Sequence, residues 1–429
     1  MMEEPWAPGP CRAHKKGGSD RQELTLWSPL LSASQSSLEL RAHSELRRLL
    51  SISLVMAATG ACAEVALVLR LTYATGSGWV VAGLWLATTL PAVLLAPWIG
   101  ATLDRYETVF VLSGAALIQA CLDLGLALVP GVAPVLVLCV ALGASAATMV
   151  PGLYALAGAL FAEEKASSSA LTGFQVTHWA GATAGPILGA SLVFLSGTRV
   201  PLLIDSCSVA SCFLLLRRMR MRRPPQAGSR ENGDSAWAGL RLLAEAPGLR
   251  SLVLPVSLVI AALNLAVVVE VFLATRVLHG GSLGYGLMVS FWGGGMIAGA
   301  LLAPRVARLK GLPLIGAGGL LAAVGLAVAG AGPSLSLVLP AYLLGGVGNG
   351  VEANAARQLI QSRTPTALHG RVFAAYLAVG SGAAALGTVA GGAVFGPLGA
   401  RGGMELAACL CGIGGIWLCL PRSGPAGGG

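Results

Sequence analysis

Charge is what this sequence has least of. Of its 429 residues only 11% are Asp, Glu, Lys or Arg, while 55% are hydrophobic. A soluble domain carries about 25% charged residues to cover its surface, so this composition excludes a water-soluble globular protein and points to a membrane protein. No phosphate-binding loop with Gly-Lys-Ser/Thr is present, which excludes an ATP-driven machine built on that loop. No nucleophile–base pair and no metal-ligand cluster is evident, so neither an enzyme nor a resident cofactor or metal is expected. The nine cysteines have no zinc spacing and no disulfide framework. All but Cys11 lie in apolar stretches, where they behave as small hydrophobes. The basic start is not followed directly by an apolar core, so it reads as a flexible, polar, cytoplasmic tail over residues 1–48 rather than as a cleavable signal, with Ser44 to Arg48 able to continue into the first helix as its charged end.

What is there is apolar and periodic on a larger scale. Twelve apolar stretches follow the tail, here helices one to twelve: 49–72, 78–99, 108–129, 133–160, 168–195, 199–216, 251–276, 282–304, 312–331, 334–356, 371–396 and 402–420. Each is near the roughly 20 residues that a spanning helix needs. The 59 glycines are tolerated there because they permit close helix packing. The net charge of +9 marks loops facing the cytoplasm, not nucleic acid. With the N-terminus inside, only Arg70, Arg199, Arg276 and Arg401 of the 28 basic residues fall outside. Both termini, the linker 217–250 and the tail 421–429 are then cytoplasmic. The linker divides the helices into an N-terminal bundle, 49–216, and a C-terminal bundle, 251–420.

The two bundles are related. Glu64-Val-Ala-Leu67-Val-Leu-Arg70 matches Glu270-Val-Phe-Leu273-Ala-Thr-Arg276 at an offset of 206 residues. Leu94-Leu-Ala-Pro97 matches Leu301-Leu-Ala-Pro304, and Trp85 matches Trp292, both at 207. Gly181 and Gly185 match Gly387 and Gly391, again at 206. Three helix pairs with agreeing offsets argue for a duplicated six-helix unit. An even helix number keeps the copies parallel, the arrangement of transporters with a cavity between two halves.

Helix five carries Gly181, Gly185 and Gly189 at intervals of four, with Pro186 among them. One helix face is thus nearly bare, so a second backbone can approach closely. Pro186 removes a backbone hydrogen bond and invites a bend. Between helices two and three stands Gly100-Ala-Thr-Leu-Asp104-Arg105. Asp104 can accept from free N–H groups at the start of helix three.

These residues resemble the major facilitator superfamily over 49–420. Gly181–Gly189 is similar to the G-x-x-x-G-P-x-x-G element of its antiporter-type exporters, and Gly100–Arg105 to its G-x-x-x-D-R element. Gly348-Asn349-Gly350, Asn354, Gln361, Thr364-Pro365 and Gly370-Arg371-Val372-Phe373 resemble the branch of enterobactin exporters and macrolide-efflux proteins. The resemblance implies that Gly100, Asp104 and Arg105 latch one conformation against the opposite half. Tyr106-Glu107 stand where the family usually continues with basic residues, so that latch is expected to be either weaker or differently built. It further implies that helices one, four, seven and ten line the path. Helix four has no buried arginine of the kind one drug-exporter group uses, so coupling rests elsewhere.

A charge within hydrocarbon is costly, so intramembrane ionisable residues are functional candidates. Glu64 and Glu270, with Asn264 about two turns deeper, either bind protons or a cationic part of the substrate, or face water or form salt bridges near the outer surface. Asp123 lies one turn from Gln119 in helix three. His178, ahead of the glycine lane, is either a proton relay or hydrogen-bonded structure. Asp205 reads as hydrated near the outer end of helix six. Asn349 and Glu352 share a face of helix ten; Glu352 either points to a cavity or pairs with Arg357, and the pairing is preferred. The expectation is an all-α integral membrane protein. Its twelve helices form two parallel six-helix repeats around a central cavity, with the glycine lane sealing one side and hinging the rocking. As a monomer in the cell membrane, it is expected to export a small, largely apolar molecule in exchange for protons. Its rivals are a lipid or nutrient transporter of the same fold and a non-transporting sensor or scaffold.

Overall fold

The computed structural model of the protein describes residues 20–159, 164–219, 241, 247–305, 311–364 and 368–420. Residues 1–19, most of the expected linker 217–250 and the expected tail 421–429 lie outside them. Every regular element among the described residues is a helix. Helices one to three are Asp20–Thr75, Gly78–Arg105 and Thr108–Leu128. Helix four is the pair Val132–Ala146 and Met149–Ala159, followed by helix five, Glu164–Ser196, and helix six, Arg199–Arg217. Helix seven is Pro247–Phe272 with a terminal π-turn Leu273–Val277; helices eight to ten are Gly281–Leu302, Leu312–Ala331 and Leu335–Arg363. Helices eleven and twelve run as His369–Cys419 and are divided at Gly399, whose φ of 66° only glycine adopts freely.

Ten described helices are long and apolar enough to cross a membrane. One of them, Val372–Cys419, contains two spans across the Gly399 kink. Helix ten is not among the ten because Asn349, Glu352, Asn354, Arg357 and Gln361 dilute its apolar run. The architecture is therefore the expected all-α membrane bundle of twelve helices.

Three local features depart from the sequence reading. Helix one extends back to Asp20, so much of the segment expected as a flexible tail is helical. Leu38–Arg48 is rich in Leu, Glu, Arg and Ala, strong helix formers, and Arg48 pairs with Glu45 one turn away at 3.0 Å. Helix four breaks at Ala147–Thr148. Pro151 has no N–H for the Ala147 carbonyl four residues back, and the Ser145 hydroxyl is drawn sideways to Ala115 O in helix three at 2.9 Å. Helix seven closes its end with Leu278 N–H on Leu273 O, a five-residue step of 2.9 Å that inserts one extra residue just past Glu270.

Helix pairing repeats between the halves. Helix one packs on five, two on four and three on six; seven packs on eleven, eight on ten and nine on twelve. Glycine makes these contacts possible. A methyl on Gly181 or Gly185 would lie 2.5 Å from Leu54 O or Ala58 O of helix one, and on Gly189 2.6 Å from Cys62 Cα. Gly387 packs on Ala261 O of helix seven and Gly391 on Leu265 O, so the matched glycines make matched contacts. The lane expected to pack against a neighbouring helix does so on helix one, inside one half. The seal is made by other faces: Gly286 of helix eight meets Pro186 and Ala190 of helix five, and Gly78 and Gly392 bring helices two and eleven together at Phe395, Trp79 and Ala82.

Candidate functional site

Between the halves lies a cavity of about 360 Å³, lined from helices one, two, five, seven, eight, nine and ten. Helix four, expected from the resemblance to line the path, contributes none of the lining residues. Glu64 and Trp85 face the cavity from the N-terminal half, and Asn264, Glu270, Trp292, Tyr342 and Asn349 from the C-terminal half. The matched pairs Glu64/Glu270 and Trp85/Trp292 thus meet at one place, which the offset of the repeat alone does not require.

The two glutamates differ. Glu64 is deep in the bundle, yet its side chain opens to the cavity rather than to packed protein. Glu270 is buried, and Tyr342 Oη donates to its Oε2 at 3.3 Å. Tyr285 is within electrostatic range of both carboxylates. Trp292 meets Tyr342 edge-on, with ring centroids 5.5 Å apart. Asn264 Nδ2 donates to Ile260 O of its own helix at 2.9 Å, which leaves its carbonyl for a ligand. The lining is chiefly apolar and aromatic, with two acids and two amides placed among it. Such a surface suits a molecule with an apolar body and a few polar groups.

One end of the cavity is closed. Phe272 and Phe395 stack at 4.0 Å between helices seven and eleven, and the Arg276 guanidinium lies over the Phe272 ring at 5.3 Å. Arg276 packs directly over Gly76, which stands at φ 62° in the turn between helices one and two. Its repeat counterpart Arg70 turns inward instead and donates to Leu126 O of helix three, at 2.6 Å, and to Val129 O just past its end. Pro186 lacks an N–H and opens helix five, and the next N–H, of Ile187, donates across the halves to Ser290 Oγ at 3.1 Å.

The other sequence candidates lie elsewhere. Asp123 is buried inside the N-terminal half, and so is Asp205, which read as hydrated; the latter accepts from Thr59 Oγ1 at 2.6 Å. The rotation of helix six about its own axis points Asp205 at helix one, and only the packing of helices three and six reveals that. His178 joins an aromatic cluster, stacked on Phe174 at 6.3 Å and edge-on to Trp179. Glu352 is buried against Gly318 of helix nine and forms no ion pair with Arg357. Five residues of helix turn the two side chains about 140° apart, which corrects the expected pairing. In the expected latch, Gly100 faces open space and Arg105 lies over Tyr106 at 5.8 Å. The side chain of Asp104 lies outside the described residues. Its backbone belongs to the last turn of helix two, and the residue preceding helix three is Glu107.

No curated protein matches the chain. Solved structures share its fold. The nucleoside transporter NupG superposes with a TM-score of 0.69 at 14% identity, covering 87% of this chain and 98% of its own. A bacterial homologue of the human lysosomal transporter Spinster, inward-facing and unoccupied, gives 0.69 at 15% identity over 87% and 96%. The human organic anion transporter MFSD10 (TETRAN) gives 0.60 at 19% identity over 87% and 99%. At these identities the likeness shows the fold alone. The model of the Major Facilitator Superfamily matches residues 49–388, across both halves and the cavity between them. The chain therefore belongs to the Major Facilitator Superfamily and is a membrane transporter, not an enzyme.

Proposed function

We propose that this protein is a proton-coupled exporter of a small amphipathic or apolar organic molecule, working by alternating access. The observation that carries this reading is the central cavity, where two acids from matched positions of the two halves face each other among four aromatic rings. An apolar body stacks on Trp85, Trp292, Tyr285 and Tyr342, while Glu64 and Glu270 exchange a proton for a cationic or polar part of the cargo. Opening follows from parting helices five and eight at Gly286 and two and eleven at Phe395, and the cavity then closes on the other side. The resemblance to enterobactin exporters and macrolide-efflux proteins supports the outward direction. The bias of 24 basic residues to one face supports cytoplasmic termini in the cell membrane.

The test is accumulation of a panel of fluorescent and antibiotic compounds in an exporter-deficient bacterial host, with and without a protonophore. Lower accumulation of at least one compound, abolished by the protonophore and by Glu64→Gln or Glu270→Gln, is expected. Unchanged accumulation throughout, with the protein shown to be in the membrane, overturns the reading. A second reading, passage of a planar polar metabolite, is favoured by the same aromatic lining and by the fold shared with a nucleoside transporter. Saturable transport of one metabolite class, with no effect on apolar compounds, distinguishes it.

A further inference from the structure

A second group of polar side chains lies outside the central cavity, between helices one, three and six of the N-terminal half. Asp123 is 1% exposed, Asp205 2% and Gln119 8%. Gln119 and Asp123 stand four residues apart on one face of helix three. Ser206 Oγ donates to Ala120 O at 2.7 Å and fixes helix six against helix three at this level. Asp205 lies within electrostatic range of Asp123.

The hydrogen-bond inventory does not balance. Thr59 has one hydroxyl proton, shared between Asp205 Oδ1 at 2.6 Å and Val55 O at 3.0 Å, with Ser208 Oγ 3.3 Å from the same hydroxyl. Both carboxylate oxygens of Asp123 and the amide oxygen of Gln119 have no donor at all. Among the described residues no Arg, Lys or His forms an ion pair with either aspartate. Arg70, which acts electrostatically on Cys139 beside this group, is committed to Leu126 O and Val129 O. The other titratable groups facing the pair are Glu64 and Cys62 of helix one, Cys139 of helix four and Cys212 of helix six, none of them a cation. Buried acceptors without donors, and buried charges without counter-charges, each cost kilocalories and are not left so in native proteins.

A route reaches Asp205 and Gln119, whereas Asp123 does not line it. A second cavity, about 170 Å³, is lined by Gln119, Asp205, Thr88, Glu64 and Trp85. Glu64 and Trp85 also line the central cavity, so the two spaces meet at those side chains. The space holds several waters at about 30 Å³ each.

We propose that Asp123, Asp205 and Gln119 form a binding site for a single monovalent cation, a proton or a sodium ion, reached from the central cavity past Glu64. The site is separate from the cargo site and stands whether or not Glu64 and Glu270 couple export.

The experiment uses the purified full chain in detergent, without cargo. Sodium chloride is titrated against choline chloride at constant ionic strength and followed by calorimetry. Proton uptake between pH 8 and pH 5 is counted in parallel. One outcome is saturable sodium binding of one ion per chain, lost at least tenfold in affinity in Asp123→Asn and Asp205→Asn; this supports a sodium site. The other is no sodium binding and one proton fewer per chain taken up by the Asp123→Asn/Asp205→Asn double variant; this supports a proton site. No sodium binding together with equal proton uptake by the wild-type chain and the double variant overturns the proposal, as does sodium binding that both variants retain. If a variant does not fold, infrared spectra of the wild-type chain at pH 8 decide. An un-ionised buried carboxyl band in choline, or its replacement on adding sodium, is expected, and absence of both refutes the site.

Discussion

Gly286→Ala and Gly185→Ala add the same methyl group and should have different consequences. At Gly286 the new carbon lies 2.6 Å from Pro186 O of helix five and closer still to Ala190 Cβ. Carbon packs comfortably at about 3.5–4.0 Å, so helices five and eight must part by roughly an ångström. Overpacking of this kind costs about 1–3 kcal/mol. The contact joins opposite halves, and under the proposed alternating-access cycle it exists only while this side is closed. The cost therefore falls on one conformation and shifts the population away from it by about 5–150-fold. At Gly185 the methyl lies 2.5 Å from Ala58 O and from Ala61 Cβ, both on helix one of the same half. That contact persists through the cycle, so the same cost appears as lost stability. Spin labels at Thr198 and Ser334, in loops of opposite halves on the closed side, report the opening by their distance distribution. Gly286→Ala should move that distribution to longer distances with little change in melting temperature, and Gly185→Ala should do the reverse. If both substitutions lower the melting temperature alike and leave the distance unmoved, helices five and eight do not form a contact specific to one state.

Three further outcomes follow from named contacts. Gly387→Ala meets Ala261 O of helix seven and should lower stability by about 1–3 kcal/mol in thermal unfolding, matching Gly185→Ala as the same kind of contact in the other half. Tyr342→Phe removes the donor to Glu270 Oε2, a bond to an ionisable group worth about 1.5–3 kcal/mol, so cargo or proton affinity should change about 10–150-fold in binding titrations while the fold is retained. Thr59→Val takes away the donor to Asp205 and should cost about 1–3 kcal/mol in the unfolding midpoint, with Thr59→Ser restoring most of it.

Much of the architecture was legible because membrane helices announce themselves by length and apolarity, and because the duplication left Glu64, Trp85 and Gly185 in register with their partners. The central pair of acids was legible for the same reason. What the sequence could not give was the rotation of each helix about its own axis. Asp205 is one such case: by depth it belongs near the surface, but helix six turns it toward Thr59 and Asp123. The glycine lane is another. Its spacing announces a close contact, but not whether helix one or helix eight makes it, and the residue that meets helix five from the opposite half, Gly286, stands outside any matched motif. Glu352 and Arg357 show the limit of proximity in sequence, since five residues along a helix separate side chains that a loop would bring together. The break in helix four depends on Pro151 acting together with a hydroxyl bond to helix three, and the π-turn after Glu270 has no composition signal at all.

The most direct measurement of the central claim is flux through the purified protein in sealed vesicles, with a compound selected by the accumulation assay and an imposed pH gradient. The account predicts cargo movement against its own gradient, driven by proton flow the opposite way. Glu64→Gln and Glu270→Gln should each reduce that movement at least tenfold while leaving the protein folded. Cargo movement that ignores the pH gradient, or that survives the loss of both glutamates, would contradict the assignment of the central cavity as a proton-exchanging transport site.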